Sequence, residues 1–181
     1  MNTEAKALRG SLKPSKYWNE WQEGRADAYC LIDQATCELM GYPAMTFAIE
    51  LLTAVCQRLA DFDGKLGVIR PTSKLQLACF AAGSTGYDAH TDGSNLEELD
   101  QSMPEDQRNM ISSRRITAIL YLNEDWDDLH GGALRALGDG GPLEVPPQGG
   151  SLILFRSRDL THQVLPTSHD RYALTMWYVS D

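Results

Sequence analysis

The chain lacks the features that would associate it with nucleic acids or membranes. Of its 181 residues, 16 are Lys or Arg and 25 are Asp or Glu, which gives a formal net charge of −9. A basic cluster is also missing, since Arg114-Arg115 is the only adjacent pair of basic residues. A chain of this charge is repelled by nucleic acids and by anionic membranes. We therefore expect neither as a partner.

Long apolar runs and a cysteine framework are missing as well. No segment approaches the roughly 18 apolar residues of a membrane-spanning helix, and Met1–Lys6 does not have the apolar core of a signal peptide. The four cysteines form neither a Cys-x-x-Cys motif nor a disulfide framework; they are Cys30, Cys37, Cys56 and Cys79. These absences predict free thiols and a reducing compartment, the cytoplasm or the nucleus.

The pattern of the N-terminal third of the chain predicts structural elements to which we assign no catalytic role. Residues 1–24 are polar and contain Gly and Pro as breakers, so an irregular segment is expected there. A short buried strand is predicted over residues 28–33. Apolar residues then recur at intervals of three and four, which predicts an amphipathic helix from Pro43 to a stop at Gly64. Three aromatic residues could anchor the first segment to the core or to a partner: Tyr17, Trp18 and Trp21.

The rest of the chain reads as short strands separated by turn residues. One helix followed by about eight such strands predicts a mainly β fold with helical support, a double-stranded β-helix (jelly roll). The length fits one domain over residues 1–181. The predicted strands after the helix are 74–80, 87–92, 115–122, 133–137, 151–155, 161–165 and 171–179.

Residues 93–113 interrupt this pattern. They show no apolar periodicity and carry five carboxylates, so a long acidic loop is predicted. Loops of this length inside a domain are usually functional or disordered. Because the segment directly follows Asp92, we expect it to lie over the site described next. It could act as a substrate lid or be a solvated loop without function.

The first chemical signal is the pair His90-x-Asp92. If this stretch is extended, both side chains point to the same face. Such a pair recurs by chance and needs a third ligand, for which His162 is the best candidate. Two His and one carboxylate on one face of an iron are the ligand set of non-haem Fe(II) oxygenases. The remaining two histidines, His130 and His169, read as exposed turn residues.

Arg171, nine residues after His162, adds a second signal. Pro166–Asp170 has the composition of a hairpin turn, which places Arg171 on a strand beside that of His162. A guanidinium in that position can bind the far carboxylate of a 2-oxo acid through two hydrogen bonds. The alternative is that Arg171 pairs with a carboxylate of the protein itself.

These residues belong to a longer series of motifs, with a fainter one at Gly24-Arg-Ala-Asp27. The series covers roughly residues 24–179. In the order of its motifs, it resembles the Fe(II)- and 2-oxoglutarate-dependent dioxygenases, and within them the Egl-9-type (oxygen-sensing) prolyl 4-hydroxylases. The motifs are Asp63-Gly-Lys-Leu-Gly67, Ala78-Cys79, Gly83-x-Thr-Gly-Tyr87, His90-x-Asp92, Ile119-x-Tyr-Leu-Asn-x-Asp-Trp126, Gly131-Gly-x-Leu-Arg135, His162-x-Val-x-Pro166 and Arg171-Tyr-Ala-x-Thr-x-Trp-Tyr178.

The resemblance implies a role for each matching residue. His90, Asp92 and His162 would hold Fe(II), and Arg171 with Tyr121 would bind 2-oxoglutarate. The substrate would meet three further residues, Trp177, Arg114 and Tyr87. The walls of the 2-oxoglutarate pocket would be Ile119, Leu134, Val164 and Thr175.

The implied reaction is hydroxylation of a prolyl residue in a protein, coupled to oxidative decarboxylation of 2-oxoglutarate to succinate and CO₂. Fe(II), 2-oxoglutarate and O₂ are the implied cofactors, with ascorbate as a further candidate. Two alternatives stay open: an oxygenase acting on a small molecule or another side chain, and a non-catalytic metal-binding jelly-roll module. Tyr121 and Trp177 could also be ordinary core aromatics.

Two departures from the family pattern limit which properties of the family can be expected of this chain. Phe80 stands where the family usually has a Tyr near the co-substrate, so one hydroxyl is missing and the affinity for oxygen or 2-oxoglutarate could differ. The segment 93–113 is longer than in the animal enzymes, so the identity of the protein substrate does not carry over.

Overall fold

Two antiparallel β-sheets form the framework in the computed structural model, which describes residues 1–14, 27–62 and 66–180. Sheet A has the order β1-β2-β4-β11-β6-β9, with β3 also paired to β11, and sheet B has the order β5-β10-β7-β8. The strands are β1 (Lys13–Pro14), β2 (Asp27–Ile32), β3 (Arg70–Pro71), β4 (Leu75–Phe80), β5 (Tyr87–His90), β6 (Arg114–Tyr121), β7 (Leu134–Gly138), β8 (Gly141–Val145), β9 (Leu152–Arg156), β10 (Thr161–Val164) and β11 (Arg171–Val179).

This architecture confirms the predicted mainly β fold with helical support, the double-stranded β-helix. Apolar side chains from both sheets pack together in a small core that includes Ile119, Leu134 and Phe155. A larger core fills the space between the other face of sheet A and the helices. The strands β1, β3 and β8 were not predicted, because two are only two residues long and Gly141-Pro142 reads as a turn.

The described residues form four α-helices, of which the first three cover the outer face of sheet A and the last has no buried residue and takes no part in that core. They are α1 (Asn2–Ala7), α2 (Gln34–Met40), α3 (Pro43–Phe62) and α4 (Glu105–Ser113). The predicted helix from Pro43 is confirmed, and Gly64 lies outside the described residues. Helix α2 was missed because it buries only Cys37 and therefore shows no apolar period. Within residues 1–14, 27–62 and 66–180, no helix has both the length and the apolarity needed to cross a bilayer.

The predicted irregular segment 1–24 is wrong for its described part, residues 1–14, which form α1, a 3-10 turn and β1. The Glu4 carboxylate accepts hydrogen bonds from the backbone N–H groups of Ala44 and Met45, at 3.1 and 2.8 Å. It thereby caps the N-terminus of α3, where carboxylates are stabilising. Tyr17, Trp18 and Trp21 lie outside the described residues.

Strand β11 joins the helical core to the functional face of the fold. All nine of its residues are buried, so both of its faces are covered. Alternate residues point to opposite sides. One face joins the larger core, and its Tyr178 hydroxyl donates to the Leu52 carbonyl of α3 at 2.7 Å. The other face lines a cavity between the sheets with Arg171, Ala173, Thr175 and Trp177.

The predicted hairpin between the strands of His162 and Arg171 is wrong. Strand β10 pairs with β5 and β7 in sheet B, whereas β11 pairs with β3, β4 and β6 in sheet A. Residues 166–170 carry the chain from one sheet to the other. A turn composition predicts a reversal, but it does not specify which sheet the next strand joins. Arg171 and His162 therefore line the same cavity from opposite sheets.

The segment 93–113 is not a loop throughout, so that prediction is wrong in its secondary structure. It contains a 3-10 turn over Leu96–Glu98 and helix α4. Helix α4 has no buried residue, which explains why no apolar period was visible. The expected position is confirmed, because Ser94, Leu99, Met103 and Ile111 line the same cavity as His90.

A matched pair of glycine variants tests the close approach of β5 to β10. Gly86 and Gly83 both have left-handed backbones, with φ of +89° and +85°, but only a Cβ at Gly86 would overlap the backbone of Val164 and Leu165. We expect Gly83→Ala to lower the free energy of unfolding by about 1–2 kcal/mol through backbone strain. Gly86→Ala should cost roughly 1–3 kcal/mol more through overpacking. Chemical denaturation followed by circular dichroism measures both, and equal losses would contradict the close approach.

Candidate functional site

Three potential metal ligands converge between β5 and β10. The register places His162 directly opposite His90, and Asp92 follows two residues after His90. The Nε2 atoms of His90 and His162 lie 3.5 and 3.9 Å from Oδ1 of Asp92. The ligand atoms all lie within 4.8 Å of one another, and this is the one such group found in the described part of the chain. The structure therefore brings together the three residues predicted to hold iron.

The two imidazole rings are already oriented for metal binding. Nδ1 of His90 lies 2.8 Å from the Asp88 carbonyl oxygen, and Nδ1 of His162 lies 3.2 Å from the Leu160 carbonyl oxygen. A carbonyl only accepts hydrogen bonds, so each Nδ1 must carry the proton. In a neutral ring this leaves the Nε2 lone pair free, and Nε2 faces Asp92.

The protonation states also suit a divalent cation. Burial alone would raise the pKa of Asp92, but its contacts with the His90 and His162 imidazoles and the nearby Arg114 guanidinium lower it to about 2. Burial lowers the pKa of His162 below its usual value, against the opposing effect of Asp92. At neutral pH the site thus offers a carboxylate and a neutral imidazole. This ligand chemistry fits Fe(II).

A buried hydrogen-bond chain holds Asp92, and sequence reasoning missed it. The Thr117 hydroxyl donates to Oδ2 of Asp92 at 2.8 Å and lies 2.9 Å from the Ser157 hydroxyl. Thr117 and Ser157 are fully buried. The Trp177 indole N–H donates to the same Oδ2 at 3.4 Å. With Oδ2 held in this way, Oδ1 is directed at the two histidines. No motif marked Thr117, which reads as an ordinary residue of a buried strand.

Arg171 places a positive charge at the other end of the cavity. It is 2% exposed. Its Nε donates to the Gly132 carbonyl at 2.7 Å, and one terminal nitrogen donates to the Tyr121 hydroxyl at 3.2 Å. Burial lowers its pKa, although an arginine remains charged at neutral pH. No carboxylate of the described residues pairs with it, so the alternative of an internal ion pair is not seen among them.

Tyr121 contacts Arg171 through its hydroxyl and is not among the residues that line the cavity. It is fully buried, and burial raises the pKa of its hydroxyl against the opposing charge of Arg171. The hydroxyl therefore stays protonated, and it accepts from Arg171 while keeping its own proton to donate. An arginine and a tyrosine hydroxyl together suit a carboxylate.

The cavity between the triad and Arg171 has a volume of about 410 Å³. Sites for small molecules typically measure roughly 300–1,000 Å³. Phe80 is on the wall, with its ring 5.3 Å from the Arg171 guanidinium carbon, so an apolar face stands where the family usually has a hydroxyl. The walls include all four residues predicted to line the 2-oxoglutarate pocket, namely Ile119, Leu134, Val164 and Thr175.

The three residues predicted to meet the substrate lie at the mouth of this cavity. The Arg114 guanidinium stacks on the Trp177 indole with 3.8 Å to the ring centroid, and it donates to the Asp92 carbonyl at 2.9 Å. The Tyr87 ring contacts the His90 ring edge-on, with 4.2 Å between the centroids. Trp177 is thus tied to the metal ligands and is not merely a core aromatic.

The other two histidines lie outside the site. His130 ends a 3-10 turn, is half-buried, and stacks on the exposed His169 with 3.6 Å between the ring centroids. They join two turns and do not share the triad's cavity. The free cysteines are as predicted, with Cys37, Cys56 and Cys79 buried and Cys30 half-buried.

Comparison with known families agrees with this geometry. The model of the 2OG-Fe(II) oxygenase superfamily matches residues 75–179, more than half of the chain. Human prolyl hydroxylase EGLN3 is 36% identical over 138 residues, covering 72% of this chain and 52% of the relative. Human Egl nine homolog 1 is 30% identical over 164 residues, covering 87% of this chain and 31% of the relative. The chain thus spans about half of the length of the first relative and about a third of the second.

Solved structures show the same fold. A Pseudomonas putida prolyl-4-hydroxylase is 27% identical, with a TM-score of 0.68 over 99% of this chain and 84% of that one. A Trichoplax adhaerens prolyl hydroxylase, in complex with a peptide fragment of the hypoxia inducible factor oxygen degradation domain, is 24% identical with a TM-score of 0.69, over 98% of this chain and 75% of that one. The chain belongs to the 2OG-Fe(II) oxygenase superfamily, and the relatives that it matches include Egl-9-type prolyl hydroxylases.

Proposed function

We propose that the protein hydroxylates a prolyl residue in a protein substrate, using Fe(II), 2-oxoglutarate and O₂. The observation that carries this proposal is the buried Arg171 guanidinium, which has no carboxylate partner among the described residues and shares a cavity of about 410 Å³ with a His-Asp-His triad. A non-catalytic metal-binding module would have no use for that charge. When bound, the iron supplies the oxidation chemistry, coupled to decarboxylation of 2-oxoglutarate to succinate and CO₂.

The metal would be held by His90, Asp92 and His162. The Asp88 and Leu160 carbonyls fix the two ring orientations, and Thr117 fixes the carboxylate. Groups that orient metal ligands in this way raise affinity and exclude wrong geometries. The protein thereby presents three ligands on one side of the cavity and leaves the other side for co-substrate.

Arg171 and Tyr121 would hold one carboxylate of 2-oxoglutarate. The guanidinium is fixed by the Gly132 carbonyl, which leaves its remaining N–H groups for an anion. The walls formed by Ile119, Leu134, Val164 and Thr175 would exclude water from the rest of the co-substrate. Burying a charge costs free energy unless the charge is paired. An anion bound to the Arg171 guanidinium would therefore offset the free-energy cost of burying it.

The prolyl substrate would enter beside Trp177, Arg114 and Tyr87. Trp177 and Tyr87 offer flat aromatic surfaces next to the metal ligands, which suits the ring of a proline. The choice of proline is supported by the names of the relatives, which are prolyl hydroxylases. Oxygen sensing, a location in the cytoplasm or nucleus, and a requirement for ascorbate stay predictions.

His162→Ala tests the assignment of the triad. We expect loss of at least about 100-fold in succinate formation, because one of the three metal ligands is removed. His169→Ala is the matched control, since it deletes the same side chain from an exposed turn outside the cavity. Circular dichroism checks that both variants are folded. Activity of His162→Ala within a few-fold of the control would contradict the assignment.

Arg171→Met tests the anion site without depending on turnover. In wild type, 2-oxoglutarate added with Mn(II) should raise the melting temperature, as expected for a ligand that binds only the native state. The variant should lose this shift. An undiminished shift in the variant would refute the role of Arg171.

Thr117→Val tests the hydrogen bond to Asp92. Valine keeps the shape but cannot donate, so we expect the dissociation constant for Mn(II) to rise about 10- to 100-fold. Thr117→Ser keeps the hydroxyl and should bind the metal nearly as well as wild type. Metal titration by electron paramagnetic resonance gives both constants. Equal affinities for the two variants would show that Thr117 does not orient the ligand.

A further inference from the structure

A larger depression opens beside the candidate site, with a volume of about 1290 Å³. Tyr29, Met103, Arg114 and Trp177 line both this depression and the cavity of the triad, so the two spaces are adjacent. We call it the basic groove, after the five basic residues on its walls: Arg70, Lys74, Arg114, Arg115 and Arg158.

The charge of this groove is opposite to that of the chain. Five of the 16 basic residues line it, whereas Glu97 is the one acidic residue among its described walls, out of 25 in the sequence. Net repulsion between like charges makes such a concentration unfavourable unless an anion neutralises it. Among the described residues, the groove is therefore a region that attracts negative charge.

The segment 93–113 forms one wall of the groove but contributes only one of its carboxylates to that wall. It carries five carboxylates, of which only Glu97 lines the groove. Helix α4 instead turns uncharged residues toward the groove, among them Asn109, Met110, Ile111 and Ser112. The acidic character seen in the sequence thus lies largely away from the groove, which stays basic.

Two guanidinium groups meet at a single backbone oxygen in this wall. Arg115 donates to the Ser112 carbonyl at 2.9 Å, and Arg158 donates to the same oxygen. Burial and the charge of Arg158 both lower the pKa of Arg115. The nearby Glu98 carboxylate binds Ser94 and Asn95 rather than either arginine. Two like charges are therefore held together with a neutral acceptor between them.

Local backbone geometry allows Arg114, Arg115 and Arg158 to line the same groove. Neighbouring residues of a strand normally face opposite sides of a sheet. A β-bulge in the pairing of β6 with β11 lies at Arg114 and Arg115, and both side chains line the groove. Bulges re-aim side chains in this way next to functional sites. Gly93, directly after the ligand Asp92, leaves room for the Arg158 stem, since a Cβ there would lie 3.0 Å from Cγ of Arg158.

We propose that the basic groove binds an acidic segment of the substrate protein, next to the proline that enters the cavity, and that Arg115 and Arg158 bind one of its carboxylates. This rests on the proposed function for the identity of the reacting residue, but not for the binding itself. A polypeptide fits the walls, because apolar side chains such as Met103, Met110 and Ile111 line the groove together with the cations. The charge pattern selects Asp- and Glu-rich sequence around the proline.

Binding of synthetic peptides tests this proposal. The probe is a fluorescein-labelled peptide of about 20 residues with one central proline and flanks containing several Asp and Glu residues, a length suited to an extended segment. Its analogue replaces every Asp and Glu by Asn and Gln. Anisotropy is measured without oxygen, in the presence of Fe(II) and 2-oxoglutarate. We expect the acidic peptide to bind at least about tenfold more tightly, and this preference to shrink at high salt.

The matched variants remove two positive charges in different places. Arg115→Gln with Arg158→Gln keeps hydrogen-bond donors for the Ser112 carbonyl but removes the charges, and should abolish the preference for the acidic peptide. Arg58→Gln with Arg135→Gln removes the same charge outside the groove and should retain it. Equal affinity for both peptides, binding of neither, or a preference kept by the first double variant would overturn the proposal. Tighter binding of a single-stranded oligonucleotide of equal charge would also overturn it.

Admitting oxygen separates this proposal from the proposed function. Mass spectrometry then reports a gain of one oxygen on the proline of each peptide. If the acidic peptide binds preferentially but is not hydroxylated, the groove is supported and prolyl hydroxylation of such segments is refuted. If both peptides are hydroxylated with equal kcat/KM, prolyl hydroxylation is supported and the role of the groove is refuted.

Discussion

The pairing of β10 with β5 is the constraint on which the site depends, because it sets His162 opposite His90. Side chains along a strand alternate with a period of two, so a shift of one residue would turn His162 to the other face of the sheet. Gly86 permits the approach of the two strands, and the bulge between His162 and Val164 adjusts the register beyond the ligand. The metal geometry is therefore a consequence of backbone pairing rather than of flexible side chains.

Opposite charges at the two ends of one cavity follow from the two-sheet architecture. Sheet B brings two of the three metal ligands, with Asp92 just beyond β5, and sheet A brings Arg171 on β11. Each charge is held by groups that fix its direction: Thr117 and Trp177 for Asp92, and Gly132 and Tyr121 for Arg171. Neither charge neutralises the other, which leaves a polarised space suited to a ligand that is both chelating and anionic.

The sequence predicted those parts of the fold that have a periodic or local signature. The apolar period of helix α3 and the extended stretches of the β-strands were recognisable, and the series of motifs identified the triad and Arg171. The crossover at residues 166–170 was not recognisable, because turn composition carries no information about sheet membership. Helices α2 and α4 were missed because they bury almost nothing and so lack an apolar stripe.

Features that depend on tertiary contact were also beyond sequence reasoning. Thr117 has no distinctive neighbours in the chain, and its role arises only when β6 is placed beside Asp92. The pair of Arg115 and Arg158 forms between residues 43 positions apart, through a shared carbonyl oxygen. In the sequence, residues 93–113 appear acidic, whereas in the fold only one of their five carboxylates, Glu97, lines the groove.

One Fe(II) and one 2-oxoglutarate are proposed to bind together between the triad and Arg171, and anaerobic titration of the protein, monitored by visible absorption, tests this joint binding. We expect a weak charge-transfer band that develops only when both are present and saturates at one equivalent of each. Absence of the band at saturating Fe(II) and 2-oxoglutarate would refute joint binding at this site.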